Sequence, residues 1–171
     1  MTDRSALLAR LEAAVADRAG AGDALSLMHW DHAAWEALLA RADIVTLGNG
    51  DVLIQRNAGG NDLYFVAEGA LEVSVPQARS ISIVPGFRVE AGSIVGEVAF
   101  FDERQRSASV WSSGPSTLFR VSHDAFEAFR RDHPARSCDL VYAIARILAG
   151  RLRRAQGADV TQPGQRGLGL F

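Results

Sequence analysis

The residues whose types and spacing could perform chemistry lie in one short segment. Gly96 and Glu97 open a stretch that predicts a helical turn. Nine residues after Glu97, Arg106 is predicted to begin a strand, with Ser107 beside it. Glycine lets a backbone approach a ligand closely, and the free N–H groups at the start of a helical turn attract an anion. The Arg106 guanidinium would add a charge-assisted contact and the Ser107 hydroxyl a further donor. The segment therefore predicts a phosphate site.

The carboxylate of Glu97 indicates what else the ligand carries. A carboxylate beside a phosphate is unfavourable unless the ligand also offers a hydroxyl donor, and a ribose 2′-OH would be one. One anion with one adjacent hydroxyl describes a cyclic ribose phosphate. A second interpretation stays open, because Glu97 and Arg106 could merely pair with each other, an exposed contact worth about 0 to 1 kcal/mol.

The elements that must position this segment are mostly strands. Between residues 44 and 121 the apolar residues alternate with a period of two, and Gly-rich turns recur between the alternating runs. Regular short strands with such turns are typical of a sandwich, a jelly roll or a small barrel. The alternating apolar residues are Val52, Ile54, Leu71, Val73, Val75, Ile81, Ile83, Ala108 and Val110.

Helical spacing flanks the strands on both sides. Residues 4–18 and about 31–41 predict two amphipathic helices. Ser122 is a natural N-cap for a third helix that ends before Pro134, and Pro134 starts a fourth that Gly157 would end. The apolar stripe of this last helix comprises Leu140, Val141, Ile144, Ile147, Leu148 and Leu152.

This combination resembles the cyclic nucleotide-binding domains of the bacterial catabolite activator protein, of the regulatory subunits of cAMP-dependent kinase and of cyclic nucleotide-gated channels. The resemblance runs from about Trp30 to Gln156. It implies a mainly β fold, a double-stranded β-helix (a jelly-roll-like β-roll) with N-terminal helices and C-terminal B and C helices. Its signature is the phosphate-binding cassette, which matches Gly96, Glu97, Val98, Ala99, Arg106, Ser107 and Ala108, with supporting glycines Gly50, Gly69 and Gly92 at turns.

The resemblance also implies a role for each residue of the cassette. Glu97 would hold the ribose 2′-OH, Arg106 the exocyclic phosphate oxygen, and Ser107 would make a second polar contact. The backbone of Val98 and Ala99 would bind the phosphate. Ser107 in place of threonine favours cAMP over cGMP, by analogy with members that prefer each.

The sequence departs from the family pattern in two places. Val95 stands where the family often has an aromatic residue, and no proline precedes Arg106. Arg104 is close enough in sequence to be an alternative phosphate partner. In the family the last helix closes over the base, and the candidates for that contact are Arg151, Arg154, Gln156 and, less favoured, Tyr142.

Composition limits the remaining classes of function. The 171 residues have a formal net charge of -2, so the chain as a whole has no electrostatic footprint for nucleic acid. About fifteen residues follow Gln156, too few for a winged helix-turn-helix, so direct DNA binding is not expected. No stretch reaches the ~20 apolar residues of a membrane span. Cys138 is the only cysteine, and no motif indicates a metal site, a cofactor or nucleophilic catalysis. All 18 basic residues are arginine, which suggests a GC-rich bacterial genome.

These patterns predict three parts. Residues 1–24 would be an amphipathic helix and linker, 25–156 the binding domain, and 157–171 a disordered tail. The predicted function is a cytoplasmic, non-catalytic sensor that binds cAMP, with cGMP as second choice, and signals to an unidentified protein effector by moving its last helix. Ligand would draw Leu140 to Leu152 onto the β-roll, and the apolar stripes of the first and last helices would allow a homodimer. With the cassette expected at the surface, Arg106→Ala would abolish binding and leave the fold intact. The alternative is a β-roll interaction module that has lost nucleotide binding, related to a transporter's cytosolic domain.

Overall fold

Short polar caps begin three of the helices. The computed structural model describes residues 3–27, 29–74 and 86–155. Side chains of Asp3, Asp31 and Ser122 accept hydrogen bonds from the backbone N–H groups of Ser5, Ala34 and Ala125, which satisfies donors that a helix start leaves free. Ser122 is thus the N-cap that the sequence predicts. The helices are α1 (Arg4–Asp17), α2 (His32–Leu39), α3 (Glu97–Asp102), α4 (His123–Asp132) and α5 (Pro134–Ala155).

The strands form two antiparallel sheets. They are β1 (Asp43–Leu47), β2 (Val52–Ile54), β3 (Leu63–Glu68), β4 (Ala70–Ser74), β5 (Phe87–Glu90), β6 (Ile94–Val95), β7 (Ser109–Ser112) and β8 (Ser116–Val121). Sheet 1 has the order β1-β8-β3-β6 and sheet 2 the order β2-β7-β4-β5. The chain alternates between the sheets except at β4 and β5, which are neighbours in sheet 2. The predicted β-roll with flanking helices is confirmed.

The turns between strands depend on glycine at three predicted positions. Gly50, Gly69 and Gly92 have φ angles of +82°, +80° and +84°, a region that residues with a Cβ rarely adopt. These are the supporting glycines that the resemblance implies at turns, and the structure confirms their place.

The helices cover sheet 1 with a single apolar core. Leu7 and Leu11 of α1 are buried in the same cluster as Phe65 and Phe119 of sheet 1. The first helix is thus part of the core of the β-roll. A second cluster, centred on Leu71 of sheet 2, lies between the sheets.

The last helix is anchored along most of its length, which corrects one expectation. Leu140, Ile144 and Ile147 are fully buried in the core that α5 shares with α4 and sheet 1. These three residues already pack against the β-roll, so a ligand cannot draw them further onto it. Leu152, nearer the C-terminal end of α5, is exposed, so any movement must occur at that end.

Part of the sequence-based prediction falls outside the described residues. This applies to the alternating residues Val75, Ile81 and Ile83, to the helix stop at Gly157, to Gln156 and to the tail 157–171. The boundaries of the three predicted parts stay predictions. None of the helices in the described ranges has the length and apolar character needed to cross a bilayer.

Candidate functional site

The cassette begins where β6 meets α3, and its geometry requires glycine. Gly96 has a φ angle of +88°. A Cβ at this position would lie 2.6 Å from the carbonyl oxygen of Asp62 and 2.9 Å from Nη1 of Arg106. Any other residue would force the cassette away from both groups. The helical turn that the sequence predicts after Gly96 is α3.

Arg106 is buried, contrary to the expectation that the cassette is a surface feature. The residue is 5% exposed, and its Nη1 donates hydrogen bonds to the carbonyl oxygens of Asp62 at 2.9 Å and Gly96 at 3.2 Å. It lies three residues before β7 and does not begin that strand. The guanidinium therefore fixes the turn at Gly96. Removing it would take away the donor to the Asp62 carbonyl, at a cost of about 1–3 kcal/mol, whereas the Gly96 carbonyl would still accept from the backbone N–H of Phe100.

An uncharged aromatic ring lies beneath this guanidinium. The carbon of the Arg106 guanidinium is 5.9 Å from the centroid of the Tyr64 ring, within the range of a cation–π contact. Burial, with the nearby Asp62 carboxylate adding to it, raises the pKa of the Tyr64 phenol above its usual value. The ring therefore stays neutral at physiological pH and presents no negative charge to the Arg106 guanidinium.

Glu97 is paired, but with a different arginine from the one considered on sequence grounds. Its Oε1 accepts a hydrogen bond from Nη1 of Arg151 on α5 at 2.7 Å, and both side chains are only 8% exposed. The alternative in which Glu97 and Arg106 merely pair with each other is wrong, since Arg106 binds backbone carbonyls. This ion pair connects the cassette to the last helix.

Arg151 is held from several sides. Its Nη2 donates to the carbonyl oxygen of Ile94 at 2.8 Å, and its guanidinium lies 5.0 Å from the centroid of the Phe87 ring. Its Nε is buried and has no hydrogen-bond partner in the described part of the chain. The sequence identified Arg151 only as a candidate for the base; 54 residues separate it from Glu97, and no local pattern signals such a pair.

All seven predicted site residues line one cavity of about 750 Å³. They are Gly96, Glu97, Val98, Ala99, Arg106, Ser107 and Ala108. Sheet 2 contributes an apolar wall that includes Ile54, Val73, Phe87 and Val110, and α5 contributes Leu148, Arg151, Leu152, Arg154 and Ala155. A mainly apolar cavity with a few polar groups at one end is typical of a small-molecule site.

The remaining candidate ligand contacts differ in whether they line the cavity. Arg104 is exposed, does not line the cavity, and its backbone N–H donates to the Asp102 carboxylate. Tyr142 is 68% exposed and also lies outside the cavity lining, whereas Arg154 lines it. Three arginines against one carboxylate make the described lining positively charged, which favours an anionic ligand.

Comparison with solved structures identifies the class of fold. A cyclic nucleotide-binding domain from Methylobacillus flagellatus superposes with a TM-score of 0.75 at 19% identity, covering 93% of this chain and 86% of that one. The catabolite activator protein of Thermus thermophilus gives a TM-score of 0.64 at 22% identity, covering 77% and 60%. The regulatory domain of Toxoplasma gondii PKA, solved with cAMP, gives 0.58 at 22% identity, covering 77% and 47%. The fold is thus one that regulatory domains use.

The sequence itself then defines the family. The family model of the cyclic nucleotide-binding domain matches residues 44–133, more than half of the chain. This chain belongs to the cyclic nucleotide-binding domain family. Among curated proteins, glutaminase 2 of Bradyrhizobium diazoefficiens is 32% identical over 134 residues, which are 71% of this chain and 20% of that protein. A hyperpolarization-activated cyclic nucleotide-gated channel of Mus musculus is 27% identical over 126 residues, 74% of this chain and 15% of the channel. The chain therefore spans about a fifth or less of these relatives.

Proposed function

We propose that this domain binds a cyclic nucleotide, with cAMP preferred to cGMP, in the cavity between the cassette and α5, and that it works as a sensor without catalysis. The observation that carries the proposal is the convergence of all seven cassette residues on one cavity. A buried carboxylate, a buried arginine and a hydroxyl on the same wall suit a ligand that carries both an anion and a hydroxyl. A cytoplasmic location and a protein effector belong to the same proposal.

Arg106 is suited to hold the phosphate because half of its guanidinium is already fixed. The bonds from its Nη1 to two carbonyls hold the group in one orientation. Among the described residues no acceptor binds its Nη2, which leaves that donor for an exocyclic phosphate oxygen. A donor positioned in advance loses little side-chain entropy on binding, so each hydrogen bond contributes more to affinity.

Glu97 is suited to hold the ribose 2′-OH because Arg151 compensates its charge. A free carboxylate would repel the phosphate of the same ligand, and the 2.7 Å ion pair with Arg151 offsets that repulsion. The second carboxylate oxygen still accepts a hydrogen bond from a hydroxyl. The pair thus makes one cavity wall compatible with both the phosphate and the sugar.

The signal would come from the C-terminal end of α5. Leu140, Ile144 and Ile147 anchor the helix in the core, so residues 148–155 are the part that contacts the cavity and can move. Arg151 belongs to this part and touches the cassette directly. Binding near 1 μM corresponds to ~8 kcal/mol, and only the difference between the two helix positions can drive the change.

Calorimetric titration tests this function. The purified, ligand-free protein is titrated with cAMP and with cGMP, and the tighter ligand is titrated again into Arg106→Gln and Arg104→Gln. These variants remove the same charge two residues apart, one inside the cavity lining and one outside it. We expect micromolar binding by the unchanged protein, at least a 100-fold loss in Arg106→Gln and less than a threefold change in Arg104→Gln, since a lost charged contact costs about 3 kcal/mol.

Circular dichroism and thermal unfolding accompany each titration, because Arg106 also fixes the turn at Gly96. If folded protein gives no heat with either nucleotide, the sensor proposal is refuted and the β-roll interaction module takes its place. Equal binding by a folded Arg106→Gln variant would likewise refute the assigned role of the cassette. In the first case the β-roll would remain without a nucleotide ligand, and in the second the ligand would remain without Arg106 as its phosphate contact.

A further inference from the structure

The segment that follows α1 lies against the same end of α5 that lines the cavity. Residues 18–25 form this strap, which contains no helix or strand. A Cβ on Gly150 would lie 2.8 Å from the carbonyl oxygen of Gly22, so the strap and α5 meet backbone to backbone. The next residue of α5 is Arg151, which pairs with Glu97. The strap is therefore a neighbour of the cavity, although none of its residues belongs to the described lining.

Ser93 connects the strap to Arg151. This serine is fully buried, and its Oγ donates a hydrogen bond to the carbonyl oxygen of Asp23 in the strap. The same Oγ accepts a hydrogen bond from Nη2 of Arg151 at 3.4 Å, and the carbonyl oxygen of the adjacent Ile94 accepts a shorter one at 2.8 Å. A buried hydroxyl that acts as donor and acceptor at once loses one bond when either partner moves away. The positions of the strap and of Arg151 are thus linked.

The strap has its own anchors on either side of this link. Nη2 of Arg18 donates to Oδ1 of Asp23 at 2.7 Å, and Nη1 of Arg18 donates to Oε2 of Glu90 on β5 at 2.7 Å. The side chains of Arg18 and Asp23 are only 21% and 17% exposed, so salt screens this pair less than an exposed one. At the far end the backbone N–H of Leu25 donates to the Gly92 carbonyl at 3.1 Å. Arg18 therefore holds the strap on the β-roll from a place outside the cavity lining.

We propose that the strap regulates the affinity of the cavity for its ligand, with Ser93 as the positioning residue that connects the strap to Arg151. The inference rests on the proposed function, because the regulated quantity is nucleotide affinity. With the strap in place, Arg151 stays on Glu97 and the cavity wall suits an anion. With the strap released, the Glu97 carboxylate loses part of its compensation and repels the phosphate. Such coupling is reciprocal, so a bound ligand must stabilise the strap to the same extent.

Calorimetric titration with cAMP tests this regulation from a distance. Arg18→Gln removes both anchoring ion pairs of the strap, and Ser93→Ala removes the link to Arg151; each should weaken binding by about fivefold or more. Arg88→Gln and Ser137→Ala are the matched controls and should bind like the unchanged protein. Arg88 is a β5 arginine that pairs with Glu72, and Ser137 is a buried serine whose hydroxyl bonds within α5. Because Arg18 is partly exposed, its variant decides the question even where Ser93→Ala fails to fold.

Hydrogen exchange of the Leu25 amide, followed by NMR, tests the link without any nucleotide. Arg151→Met and Ser93→Ala should each speed this exchange by about fivefold or more, whereas Ser137→Ala should not. Added cAMP should slow it in the unchanged protein and leave it unaltered in Ser93→Ala. Normal cAMP affinity in folded Arg18→Gln, or unaltered Leu25 exchange in Arg151→Met, would overturn this inference and leave the proposed function standing. Absence of cAMP binding by the unchanged protein would instead refute the proposed function, while faster Leu25 exchange in both variants would still establish the link between the strap and Arg151.

Discussion

Two buried regions of this domain differ in what they bury. The helix-covered side of sheet 1 is an apolar cluster that contains Trp35, Phe65 and Phe119. The cavity side buries Glu97 and Arg106 in addition to its apolar wall. Burying charge is costly unless the group is paired or hydrogen-bonded. Here Glu97 is paired with Arg151, and Arg106 is hydrogen-bonded to two backbone carbonyls. We therefore expect the first region to contribute more to stability, because the second buries the charged groups that the proposed ligand would contact.

The largest effect should come from the apolar region. Phe119→Ala removes a fully buried ring from sheet 1 and should lower the free energy of unfolding by about 3–5 kcal/mol. Phe101→Ala removes the same ring from α3, where it is 42% exposed, and should cost less than about 1 kcal/mol. Denaturant unfolding of the two variants measures the contrast. Equal losses would mean that the helix-covered cluster does not dominate stability.

On the cavity side the largest loss of stability should follow the removal of Arg151. Arg151→Met leaves the Glu97 carboxylate buried without its partner and should lower the free energy of unfolding by about 2 kcal/mol. This loss is smaller than for a fully enclosed ion pair, because the cavity admits water. Glu97→Gln/Arg151→Met removes both charges and should recover most of this loss. A double-mutant cycle from denaturant unfolding gives the coupling energy. Additive effects of the two substitutions would contradict the ion pair.

A smaller effect on stability is expected at Gly150, where α5 lies close to the backbone of Gly22. A Cβ on Gly150 would lie 2.8 Å from the carbonyl oxygen of Gly22, so Gly150→Ala should lower the unfolding free energy by about 1 kcal/mol although alanine favours helix. Ala149→Gly, one residue away on the exposed face, gives the ordinary helix-propensity cost for comparison. Thermal unfolding measures both. A Gly150→Ala variant that is more stable than the unchanged protein would show that α5 is not held against Gly22.

The smallest effect concerns the surface of the helix-covered side and depends on pH. The hydrogen bond and charge of Glu12, with Glu36 adding to them, raise the pKa of the His32 imidazole above 6.5. Because the folded pKa is the higher one, the contribution to stability is complete below the unfolded pKa and is lost as pH rises through the folded pKa. The unfolding temperature should therefore fall more between about pH 6 and pH 8 in the unchanged protein than in Glu12→Gln. Parallel pH profiles would exclude the pair as a source of stability.

Local patterns predicted the elements well, because each one is contained in a few neighbouring residues. Ser122 caps α4 as expected, Gly96 opens α3, and Pro134 begins α5. The resemblance to the family named the cassette residues, and the structure brings them to one cavity. The start of β7 was misplaced by three residues, since Arg106 has the polar character of a strand end but serves to hold a turn.

Burial and long-range pairing were the parts that the sequence did not reveal. Arg106 was expected at the surface because arginine is seldom fully buried, and only the two carbonyls of Asp62 and Gly96 make its burial tolerable. The apolar stripe of α5 was identified only in part: Leu140, Ile144 and Ile147 lie in the core without waiting for a ligand, whereas Val141 and Leu152 are exposed. A stripe shows which side of a helix is buried and not what covers it.

By itself the sequence determined the order of helices and strands, the family and the composition of the cassette, since these depend on residue type and spacing. Only the tertiary structure decided that Arg151 pairs with Glu97, that Arg106 supports the backbone at Gly96, and that Leu140, Ile144 and Ile147 lie in the core. The first and third of these follow from where the last helix lies on the β-roll. That position results from the packing of many residues distant in sequence, which no single segment encodes.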